Sequence, residues 1–304
     1  MKKSLQKVPV CTTFSADDRC RELLERLRWP EGPLCLRCGG IEVARLSVKL
    51  LFCRKCEYQF SVTAGTIFHD THLPLIKWFA AVYLLCESRK GMSANQLKRM
   101  LGTTYKTAWY LCHRIRAAMK AATPMMTGTV EVDETYVGGR VKGKGRGPHL
   151  SGNKEIVIGI RQRGGDLRFF HVDDARSGTL EKYIKENVST DVEVIVTDDM
   201  SAYPKAVEGS PLLGDYRGKH KTINHSSGVY VDGDVHTNTV ESAFFALKAW
   251  NHGNVAPHQS PKHLMAYLNE IEFRFNRRNS DRIFEETLRF MVTTDPLTYA
   301  TLVK

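Results

Sequence analysis

The sequence is poor in long apolar runs and contains no low-complexity tract. No segment approaches the roughly 18 consecutive apolar residues of a membrane-spanning helix, so we expect no membrane partner. Residues Met1 to Val10 are basic but lack the apolar core of a secretion signal. These absences predict a cytoplasmic protein.

Acidic residues are scarce relative to basic ones. The chain has 33 Asp and Glu residues against 44 Lys and Arg residues, which gives a formal net charge of +11. Because Lys and Arg neutralise phosphate groups, this excess favours a polyanionic partner such as nucleic acid, although solubility alone also explains such a charge. A length of 304 residues with 42% hydrophobic residues predicts two or three globular domains.

Four of the eight cysteines form two C-x-x-C pairs, which in a chain without a secretion signal indicate metal binding and not disulfides. Fourteen residues separate the pairs, and the segment from Val43 to Phe52 alternates as a hairpin does. Four thiolates at this spacing predict a zinc ribbon with one structural Zn²⁺. Such a module binds DNA, binds protein or only stabilises a small core. The predicted ligands are Cys35, Cys38, Cys53 and Cys56.

Helical patterns surround this ribbon. A helix is predicted from Ser15 to Trp29 and another from Leu75 to Glu87. Two shorter helices follow, separated by Gly102, and the second is rich in basic residues. This pattern predicts a helix-turn-helix DNA-binding domain, with an ordinary helical hairpin as the alternative. The candidate DNA contacts here are Thr104, Lys106, Thr107, Arg114 and Arg116.

From residue 129 the pattern changes to alternating strands. Three strands, a helix, a strand, a helix, a strand and further helices follow in that order. Asp133 lies on the first strand and Asp198 ends the fourth. This order, with aspartates at these two places, is typical of the ribonuclease-H-like fold. A glycine-rich loop between the first two strands carries three further candidate phosphate contacts, although a solvated surface loop explains them equally well: Arg140, Lys142 and Lys144.

A third acidic residue, Glu241, lies near the start of a helix whose apolar residues recur at helical spacing. One interpretation is structural: Asn238 caps the helix and Glu241 is the acid of a capping box. The other is catalytic, because cleavage of a phosphodiester by two Mg²⁺ ions needs carboxylate ligands. We expect Glu241 to meet Asp133 and Asp198, and Lys248, two turns later, to contact a DNA phosphate.

Other acids near these positions are weaker candidates. Glu131 shares a strand face with Asp133 but lies one pleat away, and Glu134 is expected to face the other side of the sheet. Asp199 is adjacent to Asp198, so spacing alone does not exclude it.

Several stretches match one family. The chain resembles the ISXO2-like transposases of the IS1595 insertion-sequence group, which have a DDE catalytic domain, over nearly its whole length. The sequence departs from the family pattern at two places. These are Asp199-Met200, directly after Asp198, and Ala249-Trp250-Asn251, directly after Lys248. The matching stretches are Trp29 to Gly39, Ser93 to Met119, Val130 to Gly139, Thr197-Asp198, Ala202-Tyr203, His236 to Glu241, Lys248, Pro261 to Leu264 and Phe273 to Asn276.

The resemblance implies a DNA transposase that binds the terminal inverted repeats of its insertion sequence. It implies two-metal-ion cleavage and strand transfer into target DNA, with Asp133, Asp198 and Glu241 holding two Mg²⁺ (or Mn²⁺) ions. Joining two DNA ends requires at least a homodimer in the synaptic complex, associated with the nucleoid. The alternatives are a DNA-binding regulator with an inactive nuclease-like domain, and a structure-selective nuclease.

We therefore predict an α/β chain in four segments. Residues 1–65 form the N-terminal helix and zinc ribbon, and residues 66–125 form the helix-turn-helix domain. Residues 126–290 form a ribonuclease-H-like catalytic domain with a mixed five-stranded sheet. Residues 291–304 form a C-terminal tail.

Overall fold

The computed structural model describes residues 17–88, 91–120, 124–138, 154–209, 216–224, 233–250 and 260–304. The chain divides into two compact units. The N-terminal unit comprises Met1–Ala121 and Ser280–Lys304, and the sheet unit comprises Ala122–Asn279. The N-terminal unit is therefore built from two separate stretches of chain.

The first part of the N-terminal unit is a helix followed by a small sheet. Helix α1 spans Asp17–Arg28, and strands β1 (Val43–Arg45), β2 (Leu51–Cys53) and β3 (Gln59–Phe60) form an antiparallel sheet in that order. The predicted hairpin is confirmed, and β3 extends it by one strand. Its core is small, with Leu51 and Phe60 packed beside the cysteines, so its side chains alone bury little apolar surface.

The rest of this unit is helical. Helices α2 (Leu75–Glu87), α3 (Ala94–Leu101) and α4 (Tyr105–Ala118) are followed, after the sheet unit, by α9 (Ile283–Thr293) and α10 (Tyr299–Val303). Helix α9 packs on α1 and α2, and the Ile67 amide donates to the Met291 carbonyl at 3.2 Å. This packing differs from the predicted division, which placed residues 280–290 in the catalytic domain and 291–304 in a tail.

Helices α3 and α4 are joined by a tight turn. The Ser93 hydroxyl caps α3 by accepting from the Gln96 amide at 3.1 Å, and the Thr104 hydroxyl caps α4 by accepting from the Thr107 amide at 3.1 Å. Gly102 ends α3 at φ 60°, a left-handed conformation that favours glycine. The sequence of helix, turn and helix is as predicted, whereas its binding to DNA stays a prediction.

The sheet unit contains five strands: β4 (Thr129–Val137), β5 (Glu155–Gln162), β6 (Leu167–Val172), β7 (Val194–Asp198) and β8 (His220–Ile223). Their order across the sheet is β6-β5-β4-β7-β8. The β4–β5 and β5–β6 pairs are antiparallel, and the β4–β7 and β7–β8 pairs are parallel. This mixed sheet, with its helices, is the predicted ribonuclease-H-like arrangement.

Helices cover both faces of the sheet. Helices α5 (Ser177–Asn187) and α6 (Ala202–Val207) pack on one face, around Leu180 and Tyr203. Helices α7 (Asn238–Trp250) and α8 (Pro261–Asn276) pack on the other, around Phe244 and Leu268. None of the helices within the described ranges has the length and apolar character needed to cross a membrane.

Gly159 allows α7 to approach the sheet closely. A Cβ atom at this position would lie 2.7 Å from Phe244 Cε1 and 2.9 Å from Val240 Cγ2. Gly159 is also the register partner of Asp133 on the neighbouring strand. The absence of a side chain at Gly159 therefore sets how near α7 comes to the strand that carries Asp133.

Candidate functional site

The site lies where β4 and β7 cease to pair. The last paired residues of these parallel strands are Glu131 and Val196. Asp133 and Asp198 each follow two residues later, so they stand at the same level of the sheet on adjacent strands. Together with Glu134 they form a group whose carboxylate oxygens lie within 4.8 Å of one another. Three carboxylates at this separation can share divalent cations.

The presence of Glu134 in this group was not predicted, because Glu134 was expected to face the other side of the sheet from Asp133. Strand alternation does place it on the α6 side, where its Oε2 accepts from the Tyr203 hydroxyl at 2.7 Å. Its carboxylate nevertheless joins those of Asp133 and Asp198, because β4 has no paired neighbour on the β7 side at this level. Facing the other side of the sheet did not exclude it from the group.

The three carboxylates repel one another in a partly buried setting. Burial, followed by the negative charges of Glu134 and Asp198, raises the pKa of Asp133 to about 8. Burial also raises the pKa of Glu134, although the hydrogen bond from Tyr203 opposes this. Holding all three groups ionised near neutral pH therefore calls for a compensating cation.

Divalent cation affinity is expected to rise with pH between about 6 and 8, because Asp133 must lose its proton to bind a cation. The association constant for Mn²⁺, measured by electron paramagnetic resonance of the free ion, should increase up to about tenfold per pH unit. Asp133→Asn should bind Mn²⁺ weakly and show a flatter pH dependence. An unchanged affinity across this range in the wild type would contradict the raised pKa.

Glu241 stands apart from this group. Its side chain is exposed, and its Oε1 accepts from the Thr237 hydroxyl at 2.8 Å. Its charge still contributes, as the smallest of the named causes, to the raised pKa of Asp133. The predicted convergence of Glu241 with Asp133 and Asp198 on shared cations stays a prediction.

The start of α7 is held by Glu131, which was not part of the capping-box interpretation of this helix. Glu131 is fully buried, and its Oε2 accepts from the backbone amides of Thr239 and Val240, each at 2.9 Å. The helix begins at Asn238 itself. Sequence reasoning missed this contact because the partners are 108 residues apart, and no local pattern relates them.

Two arginines on β5 and its following turn complete this anchor. Arg163 donates from Nε to Glu131 Oε1 at 2.6 Å and from Nη2 to the His236 carbonyl at 2.9 Å. Arg161 donates from Nη1 to the Thr239 carbonyl and to the Ser242 hydroxyl. The resulting set of contacts, which we name the α7 anchor, consists of Glu131, Arg161, Arg163 and the backbone of residues 236–240.

The four predicted thiol ligands come together as expected. Their sulfur atoms all lie within 4.8 Å of one another, with Cys35 and Cys56 Sγ atoms 3.5 Å apart and those of Cys38 and Cys53 3.6 Å apart. Tetrahedral coordination with zinc–sulfur bonds of about 2.3 Å gives sulfur separations of about 3.8 Å. The cluster therefore fits a single tetrahedral metal ion.

The predicted DNA contacts differ in their exposure to solvent. Thr104, Lys106 and Lys248 are exposed, and Thr107 is partly exposed. Arg114 and Arg116 are buried, which makes their prediction as DNA contacts wrong. The Arg114 guanidinium donates to the His69 carbonyl at 2.7 Å and lies over the Trp78 ring, since α4 turns this side inward. Three of the predicted contacts lie outside the described residues: Arg140, Lys142 and Lys144.

Residues 125–276, which contain the whole five-stranded sheet and the carboxylate group, match the ISXO2-like transposase domain. The chain belongs to this transposase family. Residues 15–59 match the transposase zinc-ribbon domain of the same IS1595 group, which accounts for the four-cysteine cluster. The resemblance noted in the sequence is thereby confirmed for both regions.

The chain is also similar to one further protein by sequence and to solved structures. The transposase is 29% identical over 284 residues to an uncharacterized protein in transposable element ISH50 of Halobacterium salinarum, covering 86% of this chain and 92% of that protein. Among solved structures it is similar to the Mos1 strand transfer complex, with 10% identity, a TM-score of 0.31, and coverage of 71% of this chain and 75% of that chain. A pre-cleavage Mos1 transpososome is similar at 10% identity and a TM-score of 0.28, covering 72% of this chain and 79% of that chain.

Proposed function

We propose that this transposase binds the terminal inverted repeats of its own insertion sequence and catalyses two-metal-ion DNA cleavage and strand transfer. The observation that carries the proposal is the carboxylate group at the ends of β4 and β7 in a chain of the ISXO2-like family. The net charge of +11 supports DNA as the partner. We further propose that the protein acts in the cytoplasm, at the nucleoid, and that it joins two ends as a homodimer or larger assembly.

The donor set fits Mg²⁺ or Mn²⁺, because it consists only of carboxylate oxygens within 4.8 Å of one another. Such ions activate the attacking and leaving oxygens of a phosphodiester. Asp133 is the proposed ligand shared by both ions. Glu241 is the proposed third ligand, with Glu134 as the competing one, since it is already within the group.

The N-terminal unit is proposed to provide sequence recognition. The four-cysteine cluster would hold one structural Zn²⁺, and the exposed start of α4 would present Thr104, Lys106 and Thr107 to base edges. Lys248, exposed on α7 two turns after Glu241, would contact a phosphate beside the carboxylates. The contacts from α4 and the contact from Lys248 would position the DNA through hydrogen bonds and charge.

The proposal is tested with linear duplexes made from the DNA that flanks the gene. Asp133→Asn, Asp198→Asn and Glu241→Gln should each lower the rate of Mg²⁺-dependent strand cleavage by about 1000-fold while leaving DNA binding intact. Asp199→Asn is the matched control, because this exposed aspartate is adjacent to Asp198 and should be dispensable.

Each outcome of this experiment assigns a role. Normal cleavage by Glu241→Gln together with loss of cleavage by Glu134→Gln would transfer the third position to Glu134. Tight binding without cleavage by the wild-type protein in Mg²⁺ and in Mn²⁺ would favour a DNA-binding regulator. Cleavage of branched DNA irrespective of terminal sequence would favour a structure-selective nuclease.

A further inference from the structure

Helix α7 presents an aromatic side chain to solvent on the side of the helix that carries Glu241 and Lys248. Its buried side packs Val240, Phe244 and Leu247 against the sheet. Phe245 lies on the opposite side and is 76% exposed, the most exposed aromatic side chain among those the structure describes. Burial of a phenylalanine ring is favourable, and the folding of this chain leaves most of the ring of Phe245 exposed to water.

The position of Phe245 on the helix distinguishes it from a scattered surface hydrophobe. Glu241 precedes it by four residues and Lys248 follows it by three, and all three side chains are exposed. Residues at these spacings share one side of a helix. The ring therefore stands between a proposed metal ligand and a proposed phosphate contact, so DNA that occupies both must pass over it.

A stacked duplex has no free base face to offer such a ring. A base beside the phosphodiester becomes available to the ring only where the strand has separated from its complement. The adjoining base is then unstacked and exposes an apolar face, which aromatic side chains bind irrespective of base identity. The cation of Lys248 complements the phosphate that accompanies this base.

We propose that Phe245 is a stacking platform for an unpaired nucleobase next to the phosphodiester that is cleaved. This inference rests on the proposed function, since it requires DNA at the carboxylate group. It adds a binding subsite of different chemistry: an aromatic face for a base, beside oxygen ligands for metal ions. A platform of this kind would hold an unpaired base at the strand end in place between cleavage and transfer.

Binding is measured with a single-stranded oligothymidylate that contains one 2-aminopurine, whose fluorescence falls when the base stacks on an aromatic ring. The full-length protein is used in Ca²⁺ instead of Mg²⁺, so that binding is read without cleavage. Wild-type protein and Phe245→Trp should quench the fluorescence. Phe245→Leu, the matched control that keeps apolar bulk without a ring, should lose the quenching and bind about 5- to 100-fold more weakly.

The outcomes separate this inference from the proposed function. Equal quenching and affinity for Phe245→Leu and wild type would overturn the platform, even if Mg²⁺-dependent cleavage is normal. Absence of cleavage with ring-dependent quenching would overturn the proposed reaction and leave the platform supported. A change in oligomeric state of Phe245→Ala in light scattering, with unchanged oligonucleotide binding, would assign the ring to a protein interface and overturn the inference. Because the ring is exposed, all variants should keep the wild-type melting temperature.

Discussion

Replacing Glu131 with alanine is expected to lower the free energy of unfolding of the sheet unit by about 3–5 kcal/mol. The carboxylate is fully buried and accepts hydrogen bonds from the Thr239 and Val240 amides and from Arg163. Its removal leaves two helix-terminal amides and a largely buried guanidinium without their acceptor, and such losses cost more than the net value of the bonds. The melting temperature of this unit should fall by roughly 10 °C.

Two further variants serve as controls for this loss of stability, and both should lose less than Glu131→Ala. Glu131→Gln keeps the shape and one acceptor oxygen but loses the charge that faces Arg163 and His236, so we expect a loss of about 1–2 kcal/mol. Glu193→Ala removes an exposed glutamate of the same unit and should change stability by less than about 0.5 kcal/mol. Urea unfolding gives all three values.

The α7 anchor also predicts a local effect. Amide hydrogen exchange at Thr239 and Val240 should accelerate in Glu131→Ala well beyond the change in global stability, because these amides lose their direct partner. If both amides stay protected and the urea midpoint equals that of the wild type, the anchor does not hold the helix. In that case the position of Glu241 is set by the packing of Phe244 against the sheet alone.

Removing the metal from the four-cysteine cluster is expected to unfold the ribbon while the sheet unit stays folded. Structural zinc contributes about 10–16 kcal/mol of apparent binding free energy in small zinc modules. The core around Leu51 and Phe60 is too small to compensate for that loss. Cys53→Ser, or treatment with a strong chelator, should abolish bound zinc in elemental analysis and open residues 34–60 to proteases.

The control for this prediction is another buried thiol. Cys20 lies on α1, outside the cluster, so Cys20→Ala should keep one zinc ion per chain and the wild-type proteolysis pattern. One zinc ion per chain retained by Cys53→Ser, with an intact ribbon, would show that the cluster is not the metal site. Loss of folding in the sheet unit as well would show that the two units are not independently stable.

Much of this fold was predictable because its signals are local. The alternation of β4, the paired cysteines and the apolar stripe of α7 each lie within a short window, and all three were found where predicted. Asp133 and Asp198 were also brought together, since both follow the last paired residues of adjacent parallel strands.

What the sequence did not predict depends on distant partners. The burial of Arg114 and Arg116 follows from the way α4 packs within its unit, and a basic helix pattern alone does not distinguish an inward arginine from an exposed one. From the sequence, Glu131 was only a weaker candidate ligand near Asp133, because its contacts with the backbone of α7 are not visible in any local pattern. Glu134 was set aside by strand alternation, which gives the direction of a side chain but not its reach.

The return of α9 to the N-terminal unit has a consequence for the order in which the chain folds during synthesis. Residues 122–279 are contiguous, so the sheet unit has all its parts once they have been made. The N-terminal unit begins first but lacks α9, and with it the contacts of Met291 with Ile67, until residues 280–304 follow. The part of the protein that is translated first is therefore completed last.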